Sequence, residues 1–171
     1  MGGALRAPAR SLKARAIQLL AQREHSRVEL RRKLLAHALA EVAAGDDAVA
    51  RLNALLDWLQ ANQYLCEERF VESRVHARAS RFGNLRIRQE LAQHDLSLSA
   101  DAELALKDTE LARARAVWEA KFSGRPSGPA DRARQSRFLA GRGFSGEAIR
   151  RVLRDADRVA AGSASSSTEP D

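Results

Sequence analysis

At 171 residues, 44% hydrophobic and 30% charged, the chain is long enough for one domain or a string of small ones, and no stretch approaches a membrane span. A net charge of +7 raises the odds of an acidic partner, nucleic acid or an acidic protein groove, without choosing between them. The single cysteine, Cys66, excludes an internal disulfide, and the 5% aromatic content argues against one thick core.

Residues 1–10 carry Gly2, Gly3 and Pro8 without periodicity and are expected to form a disordered leader. A first helical repeat is expected over 11–62. Ser11 caps a helix with Ala16, Leu19 and Leu20 on one face, and His25-Ser26 makes a corner. A second helix runs from Arg27 to near Leu39, with Val28, Leu30, Leu34 and Leu35 as its apolar stripe. Gly45-Asp46-Asp47 stops it, and one of these aspartates caps a third helix with Leu52, Leu55, Leu56 and Leu59 at helical spacing.

A second repeat is expected over 63–122. Glu67 and Glu68 fall in the first turn of its opening helix, at the positive end of the helix dipole. Phe82-Gly83 is the corner, and the next helix carries Leu85, Ile87 and Leu91 to an end near His94-Asp95. Ser97 or Ser99 caps Ala100 to Lys107, and a separate, longer helix follows with Leu111, Ala114, Val117 and Trp118. Trp58 and Trp118 stand in near-register, each expected to anchor the last helix of its repeat.

Two Pro and two Gly within 123–130 stop any helix, so a linker is expected there. A third repeat, 131–159, opens with Asp131 as cap and turns at Arg142-Gly143-Phe144, where Gly143 supplies a positive φ. Ser145 then caps a helix bearing Ile149, Val152 and Leu153. Residues 160–171 are Ser-rich and are expected to form a disordered tail.

The three corners share one pattern. From a small residue at zero, an apolar residue follows at +4, Arg at +5 and Leu at +8: Ser26 with Leu30, Arg31 and Leu34; Gly83 with Ile87, Arg88 and Leu91; Ser145 with Ile149, Arg150 and Leu153. Offsets +4 and +8 share a helix face, and +5 points away from it. Copies starting 57 and 62 residues apart imply an all-α chain, an elongated tandem array of three three-helix repeats.

No carboxylate, histidine or nucleophile cluster has a catalytic spacing, so no enzymatic activity and no cofactor is expected. His25, His37, His76 and His94 are scattered, and with one cysteine they give no metal quartet. The candidate surface is basic instead. Arg74, Arg78, Arg81, Arg86 and Arg88 crowd the middle corner, and Arg134, Arg137, Arg142, Arg150, Arg151 and Arg154 the last. Glu29, Glu72 and Glu90 lie near enough to neutralise part of that charge.

Tyr64-Leu65 with Glu67-Glu68-Arg69-Phe70, Gly83 with Ile87 and Leu91, and Arg142-Gly143-Phe144-Ser145 with Ile149 and Val152-Leu153 together resemble the bacterial RecX family of regulatory proteins, over about Leu12 to Asp155. Two positions depart from the family's usual pattern: Cys66 stands where Asp is usual, and Asp95 where Gly is usual. The resemblance implies a non-enzymatic, cytoplasmic, monomeric modulator of the recombinase RecA, tied to homologous recombination, DNA repair and the SOS response. Such a protein lies in the groove of the RecA filament on DNA and lowers filament extension, ATP hydrolysis, strand exchange and co-protease function. Its contacts with RecA or with single- or double-stranded DNA are expected at Arg78, Arg81, Arg86, Arg88, Arg142, Arg150 and Arg151. Helix, turn and helix also describes an autonomous DNA-binding protein, and an unrelated interaction scaffold remains a third reading.

Overall fold

A computed structural model of the chain describes residues 11–41 and 47–165, the side chains of 159–165 excepted. The expected leader and Gly45-Asp46 lie outside the described residues. Those residues form eight α-helices and no strand: α1 (Leu12–Gln22), α2 (Arg27–Glu41), α3 (Ala48–Ala61), α4 (Glu67–Ala79), α5 (Asn84–Ala92), α6 (Ala100–Glu119), α7 (Pro129–Gly141) and α8 (Gly146–Ser165). They divide into two units, Met1–Ser73 and Arg74–Asp171, with the division inside α4.

In the first unit, α2 packs against α1 and α3. The apolar cluster between them holds Ala16, Leu30, Leu34, Leu52, Leu56 and Leu59, all fully excluded from solvent. Each buried leucine contributes about 2 kcal/mol by transfer alone. Val28, placed by the sequence on the apolar stripe, is 38% exposed, and Glu29 takes the buried position beside it. Ser11 caps α1 by accepting from the Ala14 N–H, and Asp47 caps α3 by accepting from those of Val49 and Ala50. Both satisfy amides that the helix leaves unpaired.

In the second unit, α6 packs against α5, α7 and α8, and α8 also against α7. The segment from Ala100 is one continuous helix of 20 residues, not the two expected. Ser99 caps it through the Ala102 N–H, and no breaker interrupts Ala100–Glu119. Trp118, expected to anchor the second repeat, lies in a cluster with Leu139, Phe144, Ile149, Val152 and Leu153 of the chain that follows. Its indole N–H donates to Gln135 Oε1 at 2.7 Å.

α7 begins three residues earlier than a cap at Asp131 implies, with Pro129 in its first turn and Gly128 in the cap position. Pro suits that turn because its missing N–H has no helical partner to lose. Asp131 therefore sits inside the helix, where its carboxylate accepts from the Ser127 N–H at 3.1 Å and binds Arg134. α8 continues to Ser165, over the first residues of the segment expected to be disordered, and 166–171 lie outside the described residues.

The repeated pattern holds at each corner. Leu30, Leu34, Ile87 and Leu91 are fully buried, and Ile149 and Leu153 nearly so. Ser26 and Ser145 cap their helices through the N–H groups of Glu29 and Ala148. Arg31, Arg88 and Arg150, at +5, are all exposed. The position before each small residue is a plug: His25 and Phe144 are buried, and Phe82 half-buried.

Candidate partner-binding surface

Within the second unit the two later corners meet. The Gly83 N–H donates to the Arg142 carbonyl at 2.9 Å, and the Leu85 N–H to the Gly143 carbonyl at 3.0 Å. Gly143 has φ +82, the left-handed conformation open to glycine at little cost. Two residues three apart on α6 hold this junction. The buried Glu110 carboxylate accepts from the Asn84 N–H, the Ser145 N–H and the Ser145 hydroxyl, the last at 2.7 Å. It thus sits at the positive ends of α5 and α8 together.

Arg113, one turn on, donates to the carbonyls of Ala79, Phe82 and Leu106 and to Asn84 Oδ1, at 2.6–3.1 Å. Burial pulls its pKa below the ordinary arginine value, with the nearby Glu110 charge opposing. The Ala79 and Phe82 carbonyls at and just past the end of α4 are thereby satisfied.

The site arginines then fall into two kinds. Arg78 and Arg86 both bind Glu90, and Arg88 binds Glu103. These exposed or half-exposed pairs are worth little in stability, but they quench charge. Arg81, Arg142, Arg150 and Arg151 have no acidic partner among the described residues.

Five of the seven line three grooves. Arg150 and Arg151 line one of about 590 Å³ with Arg132, Arg154 and Glu147. Arg151 and Arg88 also line a second groove with Lys107, Glu110 and Ser145. Arg81 and Arg142 line a third with Lys121. Arg78 and Arg86 line none of the three; they flank the middle corner.

Sequence reading missed Lys107, Lys121 and Arg132 as lining residues. It also missed Glu110 and Arg113, whose i, i+3 spacing on one helix was the available signal. The charge is lopsided too: Arg74–Asp171 carries 18 Lys and Arg against 13 Asp and Glu, and Met1–Ser73 carries 11 against 9.

The first unit's corner is closed by a polar cluster rather than a basic face. The buried His25 ring has Nδ1 2.9 Å from the Arg23 carbonyl and Nε2 3.2 Å from the Lys33 ammonium. A carbonyl only accepts and an ammonium only donates, so neutral imidazole with its proton on Nδ1 satisfies both. Burial, outweighing the Arg23 carbonyl, lowers the His25 pKa. Burial alone would raise the Glu29 carboxyl, but the Arg23 guanidinium, with His25 and Lys33, brings it down to about 2.

Among the described residues no three His, Cys, Asp or Glu side chains converge as metal ligands, and no helix is long and apolar enough to cross a membrane.

Fold and surface define an all-α protein of three-helix domains whose second unit offers arginines without acidic partners beside a polar-clamped pair of corners. The chain matches the second three-helix domain of RecX over residues 67–99 and the third over 108–153. The latter span runs from α6 into α8, the helices that share the second apolar cluster. Over 151 residues it is 47% identical to the regulatory protein RecX of Ralstonia nicotianae, covering 87% of this chain and 90% of that one. Over 152 residues it is 50% identical to that of Leptothrix cholodnii (88% and 92% covered), and over another 152 it is 41% identical to that of Pseudomonas putida (86% and 92%). The chain belongs to the RecX family of regulatory proteins.

Proposed function

We propose that this protein restrains the recombinase RecA by lying in the groove of the RecA–DNA filament. There it limits filament extension, and with it ATP hydrolysis, strand exchange and co-protease function. Family membership supports the reading, and the observation that carries it is the set of arginines without acidic partners, Arg81, Arg142, Arg150 and Arg151, on one unit. A polymer's repeating acidic face rewards several modest contacts made at once, because each contact after the first is intramolecular. The protein acts as a cytoplasmic monomer without catalysis of its own; Arg78, Arg86 and Arg88 join the surface by exchanging Glu90 and Glu103 for partner carboxylates or DNA phosphates.

A second reading, direct DNA binding without RecA, is favoured by one feature: four arginines and a single glutamate around the groove on α8. Phosphate contacts of that kind weaken steeply with salt. Filament growth on single-stranded DNA, followed with fluorescently labelled RecA, separates the two. Arrest at a few chains per filament supports the first reading. Arrest that begins only once the bare DNA is coated overturns it in favour of the second.

A further inference from the structure

The groove holding Arg81 and Arg142 differs in chemistry from the one on α8. Its floor is apolar, made by Ala116 and Val117 on α6, Ala120 at the end of that helix and Phe138 on α7, and its volume is about 300 Å³. Three cations rim it: Arg81, Lys121 and Arg142. None has an acidic partner among the described residues. The half-buried Arg142 guanidinium lies 4.1 Å from the Phe138 ring centre, and Arg81 lies 5.8 Å from that of Phe82. Neither guanidinium spends its N–H groups on an acidic side chain, and a guanidinium's planar fork can take a carboxylate in two hydrogen bonds.

These features select among anions. A nucleobase would need an open aromatic face, yet Arg142 lies over Phe138, the one aromatic ring lining the groove, and Phe138 also makes a T-shaped pair with Phe122. A phosphate chain would leave the alanine and valine floor unused. A short peptide that sets an apolar side chain between acidic ones uses both floor and rim.

We infer that the groove between α6 and α7 receives an acidic peptide segment anchored by one apolar side chain. This deepens the proposed function, on which it rests in taking a protein as partner. Ala116 and Ala120 are exposed and small, so the floor admits a branched or aromatic side chain. Arg81 and Arg142 come from the two corners joined through Gly83 and Gly143, so the backbones that carry the rim are held together before the peptide arrives.

The test is selection of a phage-displayed random heptapeptide library on the full-length chain. Enriched clones should place two or more Asp or Glu beside Leu, Ile, Val or Phe. Their affinity should fall about tenfold or more on the Arg81→Glu/Arg142→Glu chain, as expected for losing charge-assisted pairs. It should fall similarly on Ala116→Trp, which fills the floor and leaves every charge in place; Ala120→Trp replaces it should circular dichroism show lost helicity. Clones without acidic bias, clones held equally by the charge-reversed chain, or displacement by a thymidine oligonucleotide as efficient as by the peptide would each overturn the inference. RecA inhibition measured on the same preparations reports the proposed function separately. It persists if the groove assignment alone fails and is absent if that reading fails.

Discussion

Gly83 and Gly143 meet with no room for a side chain on either. A Cβ on Gly83 would stand 2.3 Å from the Gly143 carbonyl oxygen, and one on Gly143 would stand 2.5 Å from the Arg86 nitrogen. Both obstacles are backbone, so neither can rotate away. Gly83→Ala should therefore destabilise the second unit by about 2–3 kcal/mol. Gly143→Ala should cost more, its left-handed φ adding about 1–2 kcal/mol. Gly141→Ala, with nothing within 4 Å, is the control and should be neutral or slightly stabilising. Urea unfolding followed by circular dichroism reads all three.

Glu110 and Arg113 hold the same junction by polar contacts. Glu110→Ala strands the Asn84 and Ser145 amides, at about 1–3 kcal/mol for each buried group left unsatisfied. Glu110→Gln keeps one acceptor oxygen and should cost clearly less. Arg113→Met preserves the stem but leaves the Ala79 and Phe82 carbonyls and Asn84 Oδ1 without their donor, and a loss of about 3 kcal/mol is expected on the same scale. Unfolding midpoints within experimental error of the unsubstituted chain for both Glu110→Ala and Arg113→Met would contradict the clamp.

The first unit should be acid-sensitive in two steps. His25 is held neutral below its ordinary pKa of 6.5, so the unfolded chain takes up its proton first, and stability present above 6.5 declines as pH falls below it. Glu29, at about 2 against an ordinary 4.5, keeps its contribution above 4.5 and loses it progressively toward pH 2. His25→Phe, borrowing the plug used at the other two corners, should remove the upper step and leave the lower. Urea midpoints measured from pH 8 to 3 will show it.

Among the described residues two that are not glycine carry a left-handed backbone, Gln63 at φ 60 and Asp95 at φ 59. Gln63→Gly should stabilise by about 1 kcal/mol through relief of that strain. Asp tolerates the region better, so Asp95→Gly should gain less. Thermal melts of the two variants check the order.

Local rules carried far in this chain. Offsets +4 and +8 from Ser26, Gly83 and Ser145 mark buried residues each time, and Ser11, Asp47, Ser99 and Ser145 cap the helices that follow them. What sequence did not disclose is non-local. Glu110 reaches amides 26 and 35 residues away, and Arg113 carbonyls 31 and 34 away; no helical periodicity encodes such partners. Pairing of the second corner with the third was hidden for the same reason, since a repeat read along the chain says nothing about which copies touch. Arg78 and Arg142 looked alike in sequence, yet Glu90 claims one and a phenylalanine ring shelves the other.

The most direct test of RecA restraint is the number of chains per RecA protomer at which ATP hydrolysis on single-stranded DNA falls by half. The expected ratio is well below one, and Arg150→Glu/Arg151→Glu should raise it about tenfold or more while helicity by circular dichroism is kept. A ratio of one or above, or one unchanged by that charge reversal, would contradict the account.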